Sequence, residues 1–262
     1  MTNQEILQTA LRQSAVDAGC QPEDFLKTEN VVVHSVYSPD ARRYLELPFV
    51  CNLISYGSNI VASVSPEYED LVRGYISRYP AEHCFETPNL YVLNEAFAPY
   101  HMKACLMAEY FLPDVDRLMA LPDTLEQGLE LRIMGPEDFQ TLYTPQWSNA
   151  LCEKRKELDV LGAGAWQEGV LVGLAACSAD CRDMWQIGVD VLPEFRRKGI
   201  ASALTRRLAR EILERRKVPF YCCAWSNIKS AKNAVGSGFR PAWAELTVKP
   251  EQFVENLNAG RI

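Results

Sequence analysis

The sequence predicts an α/β protein (α+β in its layering), a mixed sheet flanked by helices preceded by an α/β N-terminal domain. Three observations carry that reading. Strand-like apolar runs recur along the second half, at residues 129–133, 162–167, 170–177, 185–191, 218–224 and 242–248. Helical spacing interrupts them: Ala201, Leu204, Leu208 and Ile212 recur every three or four residues, opposite a polar face of Arg206, Arg207, Arg210, Glu211 and Glu214. The first ~120 residues mix the same two periodicities without any flexible linker or repeat.

In chain order, residues 3–18 have helical spacing at Ile6, Leu7, Ala10, Leu11 and Ala15, and Gly19 stops them. Residues 20–26 read as a turn entering a short helix. Residues 31–36 are strand-like, and 49–54 with 60–64 read as a hairpin or a strand-turn-strand passage around Ser55-Tyr56-Gly57-Ser58-Asn59. Ser65-Pro66-Glu67 has helix-start chemistry, with the helix running to about Arg78. Residues 89–97 are helix or loop, and 102–111 form a buried strand ended by Leu112-Pro113-Asp114. Leu121-Pro122-Asp123-Thr124 is the expected boundary, dividing 1–123 from 124–262.

Beyond it, 129–133 alternates like a first strand, Gly135-Pro136-Glu137-Asp138 starts a helix, and 148–157 suggests a second. The strands at 162–167 and 170–177 are split by the turn Glu168-Gly169. Residues 185–191, 199–216 and 218–224 then read as strand, helix and strand.

Composition is that of a globular chain: 262 residues, 48% hydrophobic and 23% charged. A net charge of −7 argues against nonspecific nucleic-acid binding, which needs a broad basic surface. No apolar run approaches the ~20 residues that span a bilayer. Met1-Thr2-Asn3-Gln4-Glu5 lacks a basic start and an apolar core, so a cytoplasmic location and no membrane partner are expected. The nine cysteines are scattered or lie in apolar runs, and the three histidines are far apart, so no metal site is expected.

The most specific local signal is Asp190-Val191-Leu192-Pro193-Glu194-Phe195-Arg196-Arg197-Lys198-Gly199-Ile200-Ala201. A strand stops at a proline, and a basic turn with a glycine opens a long helix. Unpaired N–H groups and the positive end of the helix dipole suit a phosphorylated ligand there. Taken singly, each piece also reads as a solvated turn or an ordinary helix entry.

Read as Arg196-x-x-Gly199-x-Ala201, this segment resembles the [Gln/Arg]-x-x-Gly-x-[Gly/Ala] signature of the GNAT superfamily, the Gcn5-related N-acetyltransferases that use acetyl-CoA. The preceding Val189 to Pro193, the downstream Asn227-Ile228-Lys229-Ser230 and Gly238-Phe239 stand in that family's order. The resemblance covers roughly residues 128 to 248 and implies a mixed, mostly antiparallel GNAT sheet in 124–262. It further implies that the amides of Val189 and Val191 pair with the pantetheine arm of acetyl-CoA, where a bulge splays the fourth and fifth strands of the domain. Amides of Arg197, Lys198, Gly199, Ile200, Ala201 and Ser202 would bind the pyrophosphate, with Arg196, Arg197 and Lys198 adding charge. Asn227 and Ser230 would contact the pantetheine arm, with helix capping as their alternative role.

Family members often carry a tyrosine in the fourth helix as the acid for the departing thiolate; here that place holds Asn233-Ala234-Val235. Ser230, Tyr221 or water would take over. The family's glutamate base falls near Trp185-Gln186, and the nearest carboxylate on that strand is Asp183, a candidate base or a surface residue. Asp190 alternates opposite Val189 and Val191, which favours a structural or substrate-orienting role. The N-terminal unit, with Cys20-x-x-Glu23-Asp24-Phe25 and Ser55-Tyr56-Gly57, resembles that of a bacterial subgroup that includes zwittermicin-resistance-type acetyltransferases, implying a small amine or amino-sugar-like acceptor. Glu82, Glu86, Glu109 and Tyr110 are candidate acceptor contacts, with solvated or core roles as the alternative. The expected activity is direct acetyl transfer from acetyl-CoA to a primary amine, in a chain that admits a homodimer. The rival is a noncatalytic acyl-CoA-binding sensor.

Overall fold

A computed structural model describes residues 1–261. In chain order the elements are α1 (Asn3–Ala18), β1 (Val31–His34), β2 (Cys51–Ser55), β3 (Val61–Val64), α2 (Glu69–Ile76), α3 (Thr87–Phe97), β4 (Met102–Pro113) and α4 (Val115–Ala120). There follow β5 (Glu130–Met134), β6 (Asp159–Gln167), β7 (Val170–Ser178), β8 (Met184–Val191), α5 (Ile200–Glu214), β9 (Val218–Ala224), α6 (Ile228–Gly236), β10 (Phe239–Pro250) and α7 (Glu251–Asn258). Antiparallel pairings outnumber parallel ones, and helices accompany the sheet, as the sequence predicts.

Packing groups the chain into two units that do not follow chain order. One holds Met1–Ala10 with Tyr110–Pro241; the other holds Leu11–Glu109 with the chain from Ala242 onward. In the latter, the hairpin of β2 and β3 pairs antiparallel from Cys51↔Val64 to Ile54↔Val61, β1 adds in parallel to β3, and β10 adds antiparallel to β2. Its core joins Leu53, Ala62, Val72, Leu93, Phe97 and Leu246. Arg42, itself buried, donates to Asp17 at 2.5 Å and to Glu245 at 2.8 Å, so a long irregular stretch between β1 and β2 is tied down by charges that compensate one another.

The other unit orders its strands β9-β8-β7-β6-β5, antiparallel except for the parallel β8–β9 pair. Helix α5 lies across β6, β7 and β8, burying Ile200, Leu204, Leu208 and Ile212 completely or nearly so. Burying four such side chains contributes roughly 6–12 kcal/mol before entropy is counted. That fixes the helix, and with it the turn that precedes it.

Several expectations are corrected. The helix expected from Gly135 is a single 3-10 turn, Pro136–Phe139, closed by Asp138 accepting from the Gly135 amide at 2.9 Å. The helix expected at 148–157 is absent: Pro145–Trp147 and Glu153–Leu158 are 3-10 turns, the second broken at Arg155 with φ −143°. The last strand is longer than 242–248, and α4 and α7 had no counterpart in the sequence reading. All nine cysteines are free thiols.

Candidate active site

Parallel pairing of β8 with β9 runs from Met184↔Val218 to Ile187↔Tyr221, although both strands continue, to Val191 and Ala224. Against β7, β8 keeps its register from Ser178↔Gln186 to Gly173↔Val191. The two strands therefore part without the bulge expected at this point.

The direction of the freed backbone groups follows from strand alternation. The Leu192 amide donates to the Val172 carbonyl at 3.0 Å, and the Val218 amide donates to the Asp183 carbonyl at 2.8 Å. Even-numbered residues of β8 thus face β7, and odd-numbered ones face β9. Beyond Ile187 the backbone groups of Val189 and Val191 open into the gap. The Val191 carbonyl accepts from Arg196 Nε at 2.9 Å, and Val189 is left facing the opening.

At the end of β8, Pro193–Phe195 make a 3-10 turn, and Arg197 and Gly199 both adopt left-handed backbone, φ 68° and 76°. A Cβ on Gly199 would meet no atom within 4 Å, so glycine is needed for its φ and not for space. Helix α5 starts without a side-chain cap or an acidic residue in its first turn. Its first internal bond is Ala203 N to Gly199 O at 3.0 Å, which leaves the amides of Ile200, Ala201 and Ser202 without helical partners. They border a cleft of about 890 Å³ with Arg196, Arg197, Phe195, Lys229 and Lys232.

A second cleft of about 530 Å³ lies between the parted strands and shares Val191, Arg196, Ala201, Lys229 and Asn233 with the first. Asn227 caps α6 by accepting from the Ser230 amide at 3.2 Å. Ser230 Oγ in turn lies 2.8 Å from Tyr221 Oη. Tyr221 is buried between Phe111 and Phe239, and that burial pushes its phenol above the usual tyrosine range, against the opposing hydrogen bonds of Ser230 and Asn233.

The clefts bring together Val189, Val191, Arg196, Arg197, Gly199, Ile200, Ala201, Ser202, Asn227 and Ser230. Two residues singled out in the sequence stand apart. Lys198 turns over the Phe195 ring, 3.9 Å from Glu126. Asp183 is exposed before the first residue of β8, 3.3 Å from Lys217 Nζ, and lies five positions before the opening at Gly188, roughly 16 Å along a strand. Asp190 is spent on structure, its carboxylate accepting from Asn149 and Ala150.

The acceptor candidates sit as follows. Glu82 and Glu86 are exposed, the latter bonded to His83; Tyr110 is buried and stacked on Phe220; burial raises the Glu109 carboxyl above its usual range. Lys229, Lys232, Asn233, Gln186 and Asn149 line the clefts without having been singled out. The i, i+3 spacing of Lys229 and Lys232 on an amphipathic helix was the available signal.

The model of the GNAT acetyltransferase family matches residues 82–242. The chain belongs to the GNAT acetyltransferase family. Among solved structures, it resembles a GCN5-related N-acetyltransferase-like protein from Streptococcus suis at 20% identity and TM-score 0.45, over 63% of this chain and 69% of that one. A GCN5-related N-acetyltransferase from Sphaerobacter thermophilus gives 13% identity and TM-score 0.48, over 72% and 71%. An aminoglycoside N-acetyltransferase in complex with CoA gives 21% and 0.35, over 45% and 93%. The chain spans 66% of a GNAT structure from Novosphingobium aromaticivorans and 59% of a Drosophila protein. No curated protein matches. The chain's family alone makes it an N-acetyltransferase, an enzyme of acyl transfer.

Proposed function

We propose that this enzyme moves an acetyl group from acetyl-CoA directly to a primary amine of a small molecule, with the cofactor held within residues 124–262. The carrying observation is the parting of β8 and β9 after Ile187↔Tyr221, which turns the Val189 backbone into a cleft continuous with a basic one at the start of α5.

Acetyl-CoA supplies an activated acyl group and a thiolate leaving group. The amides of Ile200, Ala201 and Ser202, with Arg196 and Arg197, bind the pyrophosphate. The Val189 amide, preorganised in the gap, donates to the pantetheine arm or to the thioester carbonyl oxygen as negative charge grows there. Tyr221, kept protonated by burial and bonded to Ser230, holds a proton for the departing sulfur. Asp183 is not part of this assembly, and the amine must lose its proton to water or to a group outside the clefts.

The cofactor-sensor reading has one observation in its favour: Asp190 is the sole carboxylate lining either cleft among the described residues, and both its oxygens are engaged. The two readings separate in an assay of free thiol released from acetyl-CoA across a panel of small primary amines. Amine-dependent thiol release supports transfer. Binding of acetyl-CoA with no release from any amine supports the sensor.

A further inference from the structure

We propose that the outer cleft is built for two anionic groups, a pyrophosphate and a phosphomonoester, and that Lys229 and Lys232 grip the second. The enzyme would then select CoA bearing its 3′-phosphate over 3′-dephospho-CoA. This inference rests on the acyl-CoA reading above.

Charge is distributed unevenly along the continuous cleft. Arg196, Arg197, Lys229 and Lys232 border the outer part, where no carboxylate lines the wall. The residues that line only the inner part include no lysine or arginine. The cleft is therefore cationic at one end and carries at the other only the Asp190 carboxylate, already engaged by Asn149 and Ala150, as suits a ligand with phosphates at one end and a thioester at the other.

None of these four cations is ion-paired with a carboxylate among the described residues. Cations close in sequence are: Lys198 faces Glu126, Arg206 and Arg210 face Asp123, and Arg207 faces Glu211. Four like charges around one concavity repel one another in a chain whose net charge is −7. A bound anion removes that repulsion.

The two walls have separate duties. Arg196, Arg197 and the free amides of α5 already suit a pyrophosphate. Lys229 and Lys232 come from α6 and stand one helical turn apart on the same face, which leaves them for a second group. Their distance from the start of α5 is fixed by Asn233, whose Oδ1 accepts from Ser202 Oγ at 3.0 Å and whose Nδ2 donates to Thr205 Oγ1 at 3.1 Å. The lysines are thus held opposite the helix start by a polar clamp between the two helices.

The test is calorimetric titration of the full chain and of its Lys229→Ala/Lys232→Ala variant with CoA and with 3′-dephospho-CoA. The parent is expected to bind CoA at least ~10-fold more tightly than dephospho-CoA, a preference that shrinks as sodium chloride is raised. The variant is expected to bind the two within ~3-fold of each other, with its dephospho-CoA affinity within ~3-fold of the parent's, which also shows that it is folded. Equal affinities in the parent, or a preference retained by the variant, overturn the inference and leave the acyl-CoA reading standing. Loss of both ligands by the variant moves the lysines to the pyrophosphate and also overturns it. If the parent binds neither ligand, the acyl-CoA reading falls and takes this inference with it.

Discussion

Asp190 holds Asn149 through both carboxylate oxygens: Oδ2 accepts the Asn149 backbone amide at 2.9 Å, and Oδ1 accepts its side-chain amide at 2.7 Å. A third bond comes from the Ala150 amide at 3.0 Å. The segment is drawn so close to β8 that a Cβ on Gly188 would stand 1.8 Å from the Asn149 carbonyl oxygen. One strand residue thus anchors an irregular segment along the wall of the inner cleft.

Asp190→Ala is expected to lower stability by about 1–3 kcal/mol, because three charge-assisted bonds at a half-exposed site are lost together. Urea denaturation measures it. A change below ~0.5 kcal/mol would show that the segment is held by its apolar contacts through Trp147 and Leu151 instead.

Gly199→Val is expected to weaken acetyl-CoA binding by at least ~10-fold, equivalent to ~1.4 kcal/mol. The cause is backbone: φ 76° is disfavoured for a β-branched residue, so the turn must rearrange and carry the free amides of α5 with it. Unchanged affinity in a titration would separate the turn from the cofactor.

Tyr221→Phe keeps the buried ring and removes the proton. The expected result is a ~10- to 100-fold fall in kcat with acetyl-CoA affinity nearly unchanged. Burial raises the phenol's pKa, so the protonated form persists above the ordinary tyrosine range, and the alkaline limb of the parent's pH–rate profile should lie there. A variant with parental kcat would give the proton to Ser230 or water.

Asp159 offers a test by pH. Burial pushes its carboxyl up to about 6, partly opposed by the hydrogen bond from the Cys152 amide at 2.9 Å. The folded protein therefore holds this proton more tightly than the unfolded chain does, and its contribution is lost as pH rises from about 4 to about 6. Asp159→Asn should remove that loss and be more stable than the parent at pH 7, by on the order of 1 kcal/mol, while the two converge near pH 4. Carboxylates held low by partners, such as Glu211 between Arg207 and Arg215, slope the other way and cancel in the comparison. Denaturation midpoints of the two proteins at pH 4 and pH 7 decide it, and an equal gap at both would contradict the assignment.

What the sequence disclosed was local. Pro193 ending a strand, the glycine-bearing turn at Gly199 and the amphipathic pattern of α5 each depend on a few neighbouring residues, and each is found where expected. Hidden features depended on residues far apart in the chain. The helical pattern at 148–157 is overridden by Asp190 and Gly188, some forty residues on, which hold the turn at Asn149 close against β8. Tyr221 and Ser230 stand in the sequence as separate candidates, since nothing in the spacing says that a strand residue and a helix residue meet at 2.8 Å. For Asp183, a candidate base or a surface residue by sequence, the spacing says nothing of how far along β8 the strands part.

The most direct measurement is calorimetric titration of the full chain with acetyl-CoA, with free CoA and desulfo-CoA as comparisons. Saturable one-site binding in the micromolar range is expected, corresponding to about 8 kcal/mol. Absence of binding at millimolar ligand would contradict it, leaving a GNAT fold whose cleft serves something other than acyl-CoA.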